Sequence, residues 1–556
     1  MGKATEGLIA CAIASFLTAG VMTTLQLSGS VLPLVLAVVL GAVWWALHGM
    51  AADWHQPQLE RHEQALVGFA LLVGLLRLAP YAWQYIAGVL VAPVTWDDNW
   101  HFQELASLVN AERFPPRLNF APEAYFHFYY VPWVPAAAVS SLLATLTGAP
   151  MIKLGYAVGA LLLDLGIAWG LIVAVRHLCP SEGRIWALGA LVVAGAAIDG
   201  LFALRHLAVL GHPLHAEWWQ LGLLVANSFS ALSTSLIWVP HHMFAAVAML
   251  LAVVVATEPV TLALRAGRAP WIVAGLLIGT AAFSSIFAFA GGVLALVPLL
   301  WELARSSDRR RLWWLIGSTI IPALPLAYIY LGADARGGFV IGQAFTEWAR
   351  ATGKPAMGIV GGVIALALMV LEIGWLFVVG RGLDQGGADI ARQRAVAIAC
   401  ALMLASTAVI GFTGSNNWAL RATIVPVVLL AGYVGCGFAR ASAGGLSAVA
   451  PRMDPALLGK AGAAALCLAG IAHLNETALL VGASVRAPAY ATETPECKAA
   501  ILRANLAFET SGPAPTPGLC RDPLSPYHIE RPFNKQPVTA VDRELMGRGF
   551  GFLSSQ

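Results

Sequence analysis

The run ALVGFALLVGLLRLAPYAWQYIAGVLVA at 65–92, followed at once by WDDNWH at 96–101, decides how this chain is read. The first stretch is long enough to cross a bilayer, since a spanning helix needs about 20 predominantly apolar residues. The second places two adjacent carboxylates, Asp97 and Asp98, and the imidazole of His101 just beyond its end. Charges in such surroundings are costly unless they are paired, solvated or functional. A carboxylate pair at a membrane–water boundary is therefore the first place to look for chemistry.

The rest of the chain repeats the first half of that pattern. Of its 556 residues, 58% are hydrophobic and 11% charged, against about 25% charged in a soluble domain. This composition predicts an all-α polytopic membrane protein. A net charge of +3, with no basic stretch interleaved with aromatics, excludes a nucleic-acid partner. The first apolar run, Leu8 to Leu27, is longer than the core of a cleaved signal peptide and reads as a retained first helix or signal anchor. Candidate crossings lie at 7–27, 31–50, 65–92, 151–175, 185–204, 236–257, 271–284, 286–303, 313–332, 357–380, 396–413, 422–440 and 459–483.

Lysine and arginine bias in the short loops orients these segments. Arg265/Arg268, Arg305 with Arg309-Arg310-Arg311, Arg381/Arg392/Arg394, Arg440/Arg452/Lys460 and, more weakly, Arg176/Arg184 mark cytoplasmic loops. The segment 271–303 has basic flanks on both sides and crosses an even number of times. Two short helices joined near Ser284-Ser285 fit it best, with the corner near the outer face. Between an outer 93–130 and an inner 176–184 the number of crossings is odd, so the shorter run 131–147, with Pro132 and Pro135, becomes a membrane-surface helix. About thirteen crossings result, with the N-terminus cytoplasmic and the C-terminus outside. Residues 1–483 form the membrane domain, and 484–556 a small, polar, proline-rich outer tail. Only Cys497 and Cys520, of seven cysteines, fall outside on this topology. A Cys497–Cys520 disulfide suits an oxidising compartment, with two free thiols as the alternative.

The chemistry-bearing residues collect in the outer loops. Asn99 to Glu112 reads as an amphipathic surface helix. On it Asp97 and His101 are four apart, and His101 and Glu104 three apart, so they share a face. Asp98 lies at or near the N-cap, where a carboxylate satisfies free backbone donors. One helix does not need two neighbouring caps, so at least one aspartate is left for other work. Next come Phe114-Pro115-Pro116 and the aromatic run Tyr125-Phe126-His127-Phe128-Tyr129-Tyr130. The aromatics suit an interfacial belt, and His127 among them is placed to bind a phosphate or hydroxyl. The segment 205–235 holds His206, His212, His215 and Glu217, but their spacing matches no zinc pattern such as H-E-x-x-H. Trp238-Val239-Pro240-His241-His242 puts two imidazoles at the outer end of a span, as in a lined cavity or as packing histidines bonded to backbone. The segment 333–356 carries Asp334, Arg336, Glu347, Arg350 and Lys354. Finally, Asn417-Trp418-Ala419-Leu420-Arg421 ends in an arginine that opens a span from the outside. It serves either as a bidentate donor to a lipid phosphate or as a headgroup-snorkelling cation.

In this order and sidedness, the pattern resembles the GT-C superfamily of membrane glycosyltransferases. The likeness rests on the acidic pair Asp97/Asp98 early in the first outer loop, with His101. It rests further on Phe114-Pro115-Pro116 and Phe128-Tyr129-Tyr130, on Trp238-Val239-Pro240-His241-His242, on Asn417-Trp418-Ala419-Leu420-Arg421-Ala422, and on the central helix pair at 271–303. It covers most of the membrane region and not the tail. The resemblance implies a sugar donor on a polyprenyl phosphate or pyrophosphate and inverting transfer on the outer face of a bacterial plasma membrane. The acceptor would be an envelope glycan, lipid or protein. Asp97 or Asp98 would be the catalytic base. Arg421, with His241, His242 or His127, would hold the lipid phosphate. His101, Glu104, Tyr129, Tyr130, Trp238 and Asn417 would line the substrate site, with Glu104, Glu123 and Glu347 as candidates for a second carboxylate. The motif is not a clean D-x-D, so a divalent ion, Mg or Mn, is compatible with it but not required. The competing expectations are a lipid-linked substrate transporter or flippase, for which Asp164, Asp199 and Glu372 within or near spans would mark a path, and a non-catalytic envelope-assembly scaffold.

Overall fold

The computed structural model describes residues 2–50, 58–87, 94–118, 121–125, 130–147, 151–210, 229, 231–257, 267–306, 309–331, 339–342, 349, 352–383, 388–412, 417–444 and 455–486. The tail, with Cys497 and Cys520, lies outside the described residues.

The chain is a polytopic helical bundle. Its helices are α1 (Gly2–Thr24), α2 (Leu32–Met50), α3 (Arg61–Ala87), α4 (Trp96–Val109), α5 (Val134–Thr147), α6 (Ile152–Leu178), α7 (Ser181–Val193), α8 (Ala197–Leu210), α9 (Leu232–Ile237), α10 (Pro240–Thr257), α11 (Ala269–Ser284) and α12 (Ile286–Arg305). There follow α13 (Arg310–Ala323), α14 (Tyr328–Leu331), α15 (Pro355–Met369), α16 (Trp375–Gly382), α17 (Ala388–Val409), α18 (Asn417–Ala422), α19 (Ile424–Gly444) and α20 (Pro455–Arg486). Among the described residues, strands are confined to two short antiparallel pairs. Arg117–Leu118 pairs with Ala121–Tyr125, and Phe339–Ile341 with Ile410–Phe412.

Among the described residues, ten helical segments are long and apolar enough to cross a membrane. Each of the thirteen runs read from the sequence coincides with helical structure, but α11, α13–α14 and α17 are not among the ten. Ser181–Arg205 counts as one crossing, although it is bent between α7 and α8 at Gly195. That residue takes a φ of 72°, which a side chain disfavours. The expected helix pair at 271–303 is present as α11 and α12. Ser285 caps the second helix by accepting the Ala288 N–H at 3.2 Å.

The two ends of the bundle differ in chemistry. At one end the helices close with ion pairs and aromatic–arginine contacts. Arg176 Nε lies 2.6 Å from Glu63 Oε1, Arg184 Nη1 2.9 Å from Glu60 Oε1, and Arg392 Nε 2.8 Å from Glu302 Oε2. Arg268, Arg305 and Arg311 lie over Trp314, Trp301 and Trp271. The opposite end gathers the C-terminal parts of α1 and α3, the starts of α6 and α10, and the whole of α4. There the Phe114 N–H donates to Leu27 O at 2.9 Å, and the Tyr130 and Tyr328 hydroxyls lie 2.8 Å apart. The chain leaves α3 and enters α6 at this same end, because Tyr81 and Tyr156 bond one carboxylate between them. The 94–151 segment therefore makes no net crossing, as the sequence reading of 131–147 requires. Within it α5 packs on α6 closely enough that a Cβ at Gly155 would sit 1.8 Å from Ser140 Oγ, a small-residue contact typical of membrane bundles.

Close approach also fixes the segment that carries Arg421. A Cβ at Gly291 on α12 would meet Ala422 O at 1.8 Å, backbone that cannot swing aside. Gly291→Ala should therefore lower the detergent-solubilised melting temperature, at a cost of about 1–3 kcal/mol for overpacking. Gly41→Ala on α2, where nothing lies within 4 Å, should leave it unchanged or slightly raised. Thermal unfolding of the two variants side by side checks the difference.

Candidate functional site

The helix that carries the acidic pair begins at Thr95, and the reason is local. Thr95 is extended (φ −122°, ψ 161°) and forms a capping box with Asp98. Its hydroxyl accepts the Asp98 N–H at 3.2 Å and donates to Asp98 Oδ1 at 2.7 Å, and its own N–H donates to Asp98 Oδ2 at 3.0 Å. The N-cap is thus Thr95. Asp98 stands three positions in, and Asp97 at the second position of the helix.

Asp98 is fully buried and has no lone pair to spare. Besides Thr95, Tyr81 donates its hydroxyl to Oδ2 at 2.6 Å and Tyr156 its hydroxyl to Oδ1 at 2.7 Å. Arg77 Nε approaches Oδ1 at 3.7 Å. Four accepted hydrogen bonds and a neighbouring guanidinium hold this carboxylate fixed. Its position is structural, and it anchors α4 to α3 and α6.

Arg77 is itself wholly buried and reaches three further groups. It pairs with Asp164 on α6 (Nη1–Oδ2, 3.4 Å) and donates to the backbone carbonyls of Leu236 and Ile237 at the end of α9. These are orphan carbonyls of a helix terminus, which a cation satisfies well. Asp164, expected within a span as a mark of a transport path, is thus part of an internal ion pair.

His101 lies one turn further along α4 and is 1% exposed. Its Nδ1 is 2.7 Å from Glu104 Oε2, so the shared face read from their spacing is realised. The ring stacks on Tyr156 (centroids 5.6 Å), tilts against Trp133 (4.6 Å) and meets His241 edge-on (5.1 Å). His242 follows, 3.9 Å from His241. Burial, then the positive charges of Arg77 and Arg421, push the His101 imidazole well below its ordinary pKa. A neutral ring that donates from Nδ1 to Glu104 carries its lone pair on Nε2. Among the described residues His101 Nε2 and Trp133 Nε1, an acceptor and a donor, have no hydrogen-bond partner. Two adjacent unmet groups of opposite sense suit a hydroxyl-bearing ligand.

The structure brings together Asp98, His101, Glu104, His241 and His242, and sets Arg421 close enough for its charge to act on His101. It turns two other residues elsewhere. Trp238 donates its indole N–H to Glu476 Oε2 on α20 at 3.0 Å, away from the two histidines beside it in sequence. Tyr130 is buried against Phe114 and bonded to Tyr328, and burial pushes its hydroxyl up to about 12. His127, Tyr129, His212, His215, Asp334, Arg336, Glu347 and Arg350, and the side chains of Asp97, Glu123 and Asn417, lie outside the described residues. Four residues of the site were not singled out from the sequence: Arg77, Tyr81, Trp133 and Tyr156. Arg77 did carry a signal, as a lone cation inside the apolar run 65–92. The tyrosines and the tryptophan carried none.

A resident divalent ion does not fit the described side chains of this site. Asp98 is saturated, and the compact group of metal-type ligands among the described residues is Glu60–His62–Glu63 at the other end. There Arg184 and Arg176 already pair with the two carboxylates.

No family model matches the chain, and no curated protein matches it. Among solved structures it is similar to the apo crystal structure of the oligosaccharyltransferase of Archaeoglobus fulgidus, with a TM-score of 0.35 and 13% identity over 82% of this chain. The chain spans 60% of that chain's length. A likeness at this level carries no weight about activity, and the site is read from its own geometry.

Two outcomes follow from that geometry. Asp98→Ala strands four donors and a buried arginine, and should cost about 3–5 kcal/mol of stability, read as a shifted unfolding midpoint. His101 has a folded pKa below its unfolded value of about 6.5. The unfolded chain therefore binds more protons in the window below that value, and stability falls as pH drops through it. His101→Gln should flatten part of the loss between pH 7 and 5 in a melting-temperature series.

Proposed function

We propose that this chain is a membrane glycosyltransferase of the GT-C type, which transfers a sugar from a polyprenyl-phosphate- or pyrophosphate-linked donor to an acceptor hydroxyl. The observation that carries the reading is the edge contact between His101 and His241 at 5.1 Å, with the Arg421 charge acting on His101. Three motifs more than a hundred residues apart thereby meet at one end of the bundle. That end lies opposite the arginine-rich one, and arginine-rich loops favour the cytoplasm. This supports an outer-face site in a bacterial plasma membrane, with the N-terminus inside. The acceptor class would be an envelope glycan, lipid or protein.

Asp97 is the proposed base. Asp98 is already committed to its five partners, and Asp97 precedes it at the second helical position, four residues from His101. The positive end of the helix dipole favours the ionised carboxylate there, which is the form a proton acceptor needs. The acceptor oxygen attacks the anomeric carbon and gives its proton to Asp97. The bond from that carbon to the phosphate oxygen breaks, and the lipid phosphate departs with the electron pair. Arg421 takes up that charge as a bidentate donor, with His241 and His242 beside it. His101, oriented by Glu104, offers Nε2 to a sugar hydroxyl, and no step needs a metal. His127, Tyr129 and Asn417 are retained as proposed lining residues of the wider substrate site. A Cys497–Cys520 disulfide in the outer tail belongs to the same proposed topology.

Asp97→Asn should reduce transfer from a synthetic polyprenyl-phosphate sugar by about 10²–10⁴-fold, the usual contribution of a general base, with the melting temperature unchanged. Full activity in that variant rules out the assignment. Arg421→Ala should raise the donor KM about tenfold or more, the worth of a charged hydrogen bond. Impermeant maleimide should label a cysteine placed at Arg117 from outside and one placed at Arg310 only after lysis.

A further inference from the structure

The arginine-rich end holds two neighbouring cavities of about 300 and 230 Å³. Val253, Thr257, Leu299 and Arg392 line both, so they form one groove between α10, α12 and α17. Together they reach the size range of small-molecule sites, about 300–1,000 Å³. The inner wall is apolar, with Ala252, Ile278 and Leu296 from three different helices. The mouth is polar and cationic, with Arg311 and Arg392 and the single acid Glu302 among the described lining residues.

The depth of that mouth is marked independently. Arg268 lies over Trp314 at 5.3 Å, Arg305 over Trp301 at 4.3 Å and Arg311 over Trp271 at 5.7 Å. Tryptophans concentrate at the headgroup level of a bilayer, and three such pairs on α11–α13 and the turn before α11 set the groove's opening at that level. A soluble anion would need the arginines but not an apolar trough running inward between spanning helices. A neutral lipid would need the trough but not the arginines.

We infer that this groove binds an anionic glycerophospholipid. Its phosphate sits between the Arg311 and Arg392 guanidinium groups, and one acyl chain runs along Val253, Leu299 and Leu296. Guanidinium forks match phosphate oxygens in pairs. Basic pockets between spanning helices on the cytoplasmic side are suited to acidic headgroups. Glu302 Oε2 holds Arg392 through Nε at 2.8 Å and Nη2 at 2.5 Å, which fixes the guanidinium at the mouth and leaves Nη1 for the phosphate. This inference uses the sidedness of the arginines and not the glycosyl-transfer reading, so either can fail alone.

The test is native mass spectrometry of the full chain, delipidated in detergent and titrated with phosphatidylglycerol or phosphatidylcholine of identical chains. Phosphatidylglycerol should bind about tenfold more tightly, in keeping with two arginine contacts, and should raise the melting temperature more. The Arg311→Ala/Arg392→Ala pair should lose that preference, and the corresponding lysine pair should keep most of it. Ala256→Trp, which fills the trough and leaves the arginines in place, should lose bound lipid of both kinds. Arg113→Ala, which removes an exposed arginine at the opposite end, should leave the lipid preference unchanged. Equal binding of the two lipids overturns the proposal, as does a preference that survives the alanine pair. So does full protection by millimolar inorganic phosphate, which would make the site a simple anion site.

Discussion

One buried guanidinium organises the end of the bundle where the chemistry-bearing residues meet. Arg77 rises from the middle of α3 and touches Asp98 on α4, Asp164 on α6 and the last carbonyls of α9. Burying a cation costs several kcal/mol and is tolerable only with opposite charge and a full set of acceptors. Two carboxylates and two carbonyls meet that need. The consequence is geometric. The helix that bears Asp97 and His101, and the turn that leads into His241 and His242, are referred to one fixed point. His101 and His241 come into ring contact because their supporting segments share this arginine.

The cluster built on that point is dry and largely neutral. His101 is uncharged because burial and two nearby arginines oppose its protonation. Aromatic rings of Trp133 and Tyr156 close around it, and Phe102 packs edge-on against Tyr156. In such low-dielectric surroundings a charge at Arg421 acts at longer range than it would in water. The other end of the bundle differs, with arginines over tryptophans and paired to carboxylates that range from buried Glu63 to exposed Glu302. The same two residue types, arginine and carboxylate, thus serve as an internal strut at one end and as a graded collar at the other.

Much of this was legible in the sequence because hydropathy and spacing are local. Apolar length gave each helix of the bundle, and the basic flanks of 271–303 dictated two helices with a corner at Ser284-Ser285. The three-residue step from His101 to Glu104 gave their contact. What stayed hidden was long-range pairing. Nothing in the sequence near Tyr81 or Tyr156 says that both hydroxyls bind Asp98, since the partners are 17 and 58 residues away. Asp98 drew attention as a charged neighbour of Asp97, when its role is to receive those hydroxyls. The cap was read one turn late, because Thr95 is a milder signal than an aspartate. Asp164 stood out as a carboxylate in a span, but its charge is answered by Arg77 on the next helix in space. Trp238 was grouped with His241 by proximity in sequence, whereas the turn before Pro240 sends its indole to α20.

The division of labour between the adjacent aspartates follows from the same physics. A carboxylate whose two oxygens already accept four hydrogen bonds has no lone pair left for an incoming donor. Such a group is a good strut. A neighbour one residue away on a helix points about 100° around the axis, so it cannot share those donors. Fixing Asp98 therefore fixes the first turn of α4, on which Asp97 stands at the second helical position. The two adjacent carboxylates are thus not one unit, because the donors that hold Asp98 belong to it alone.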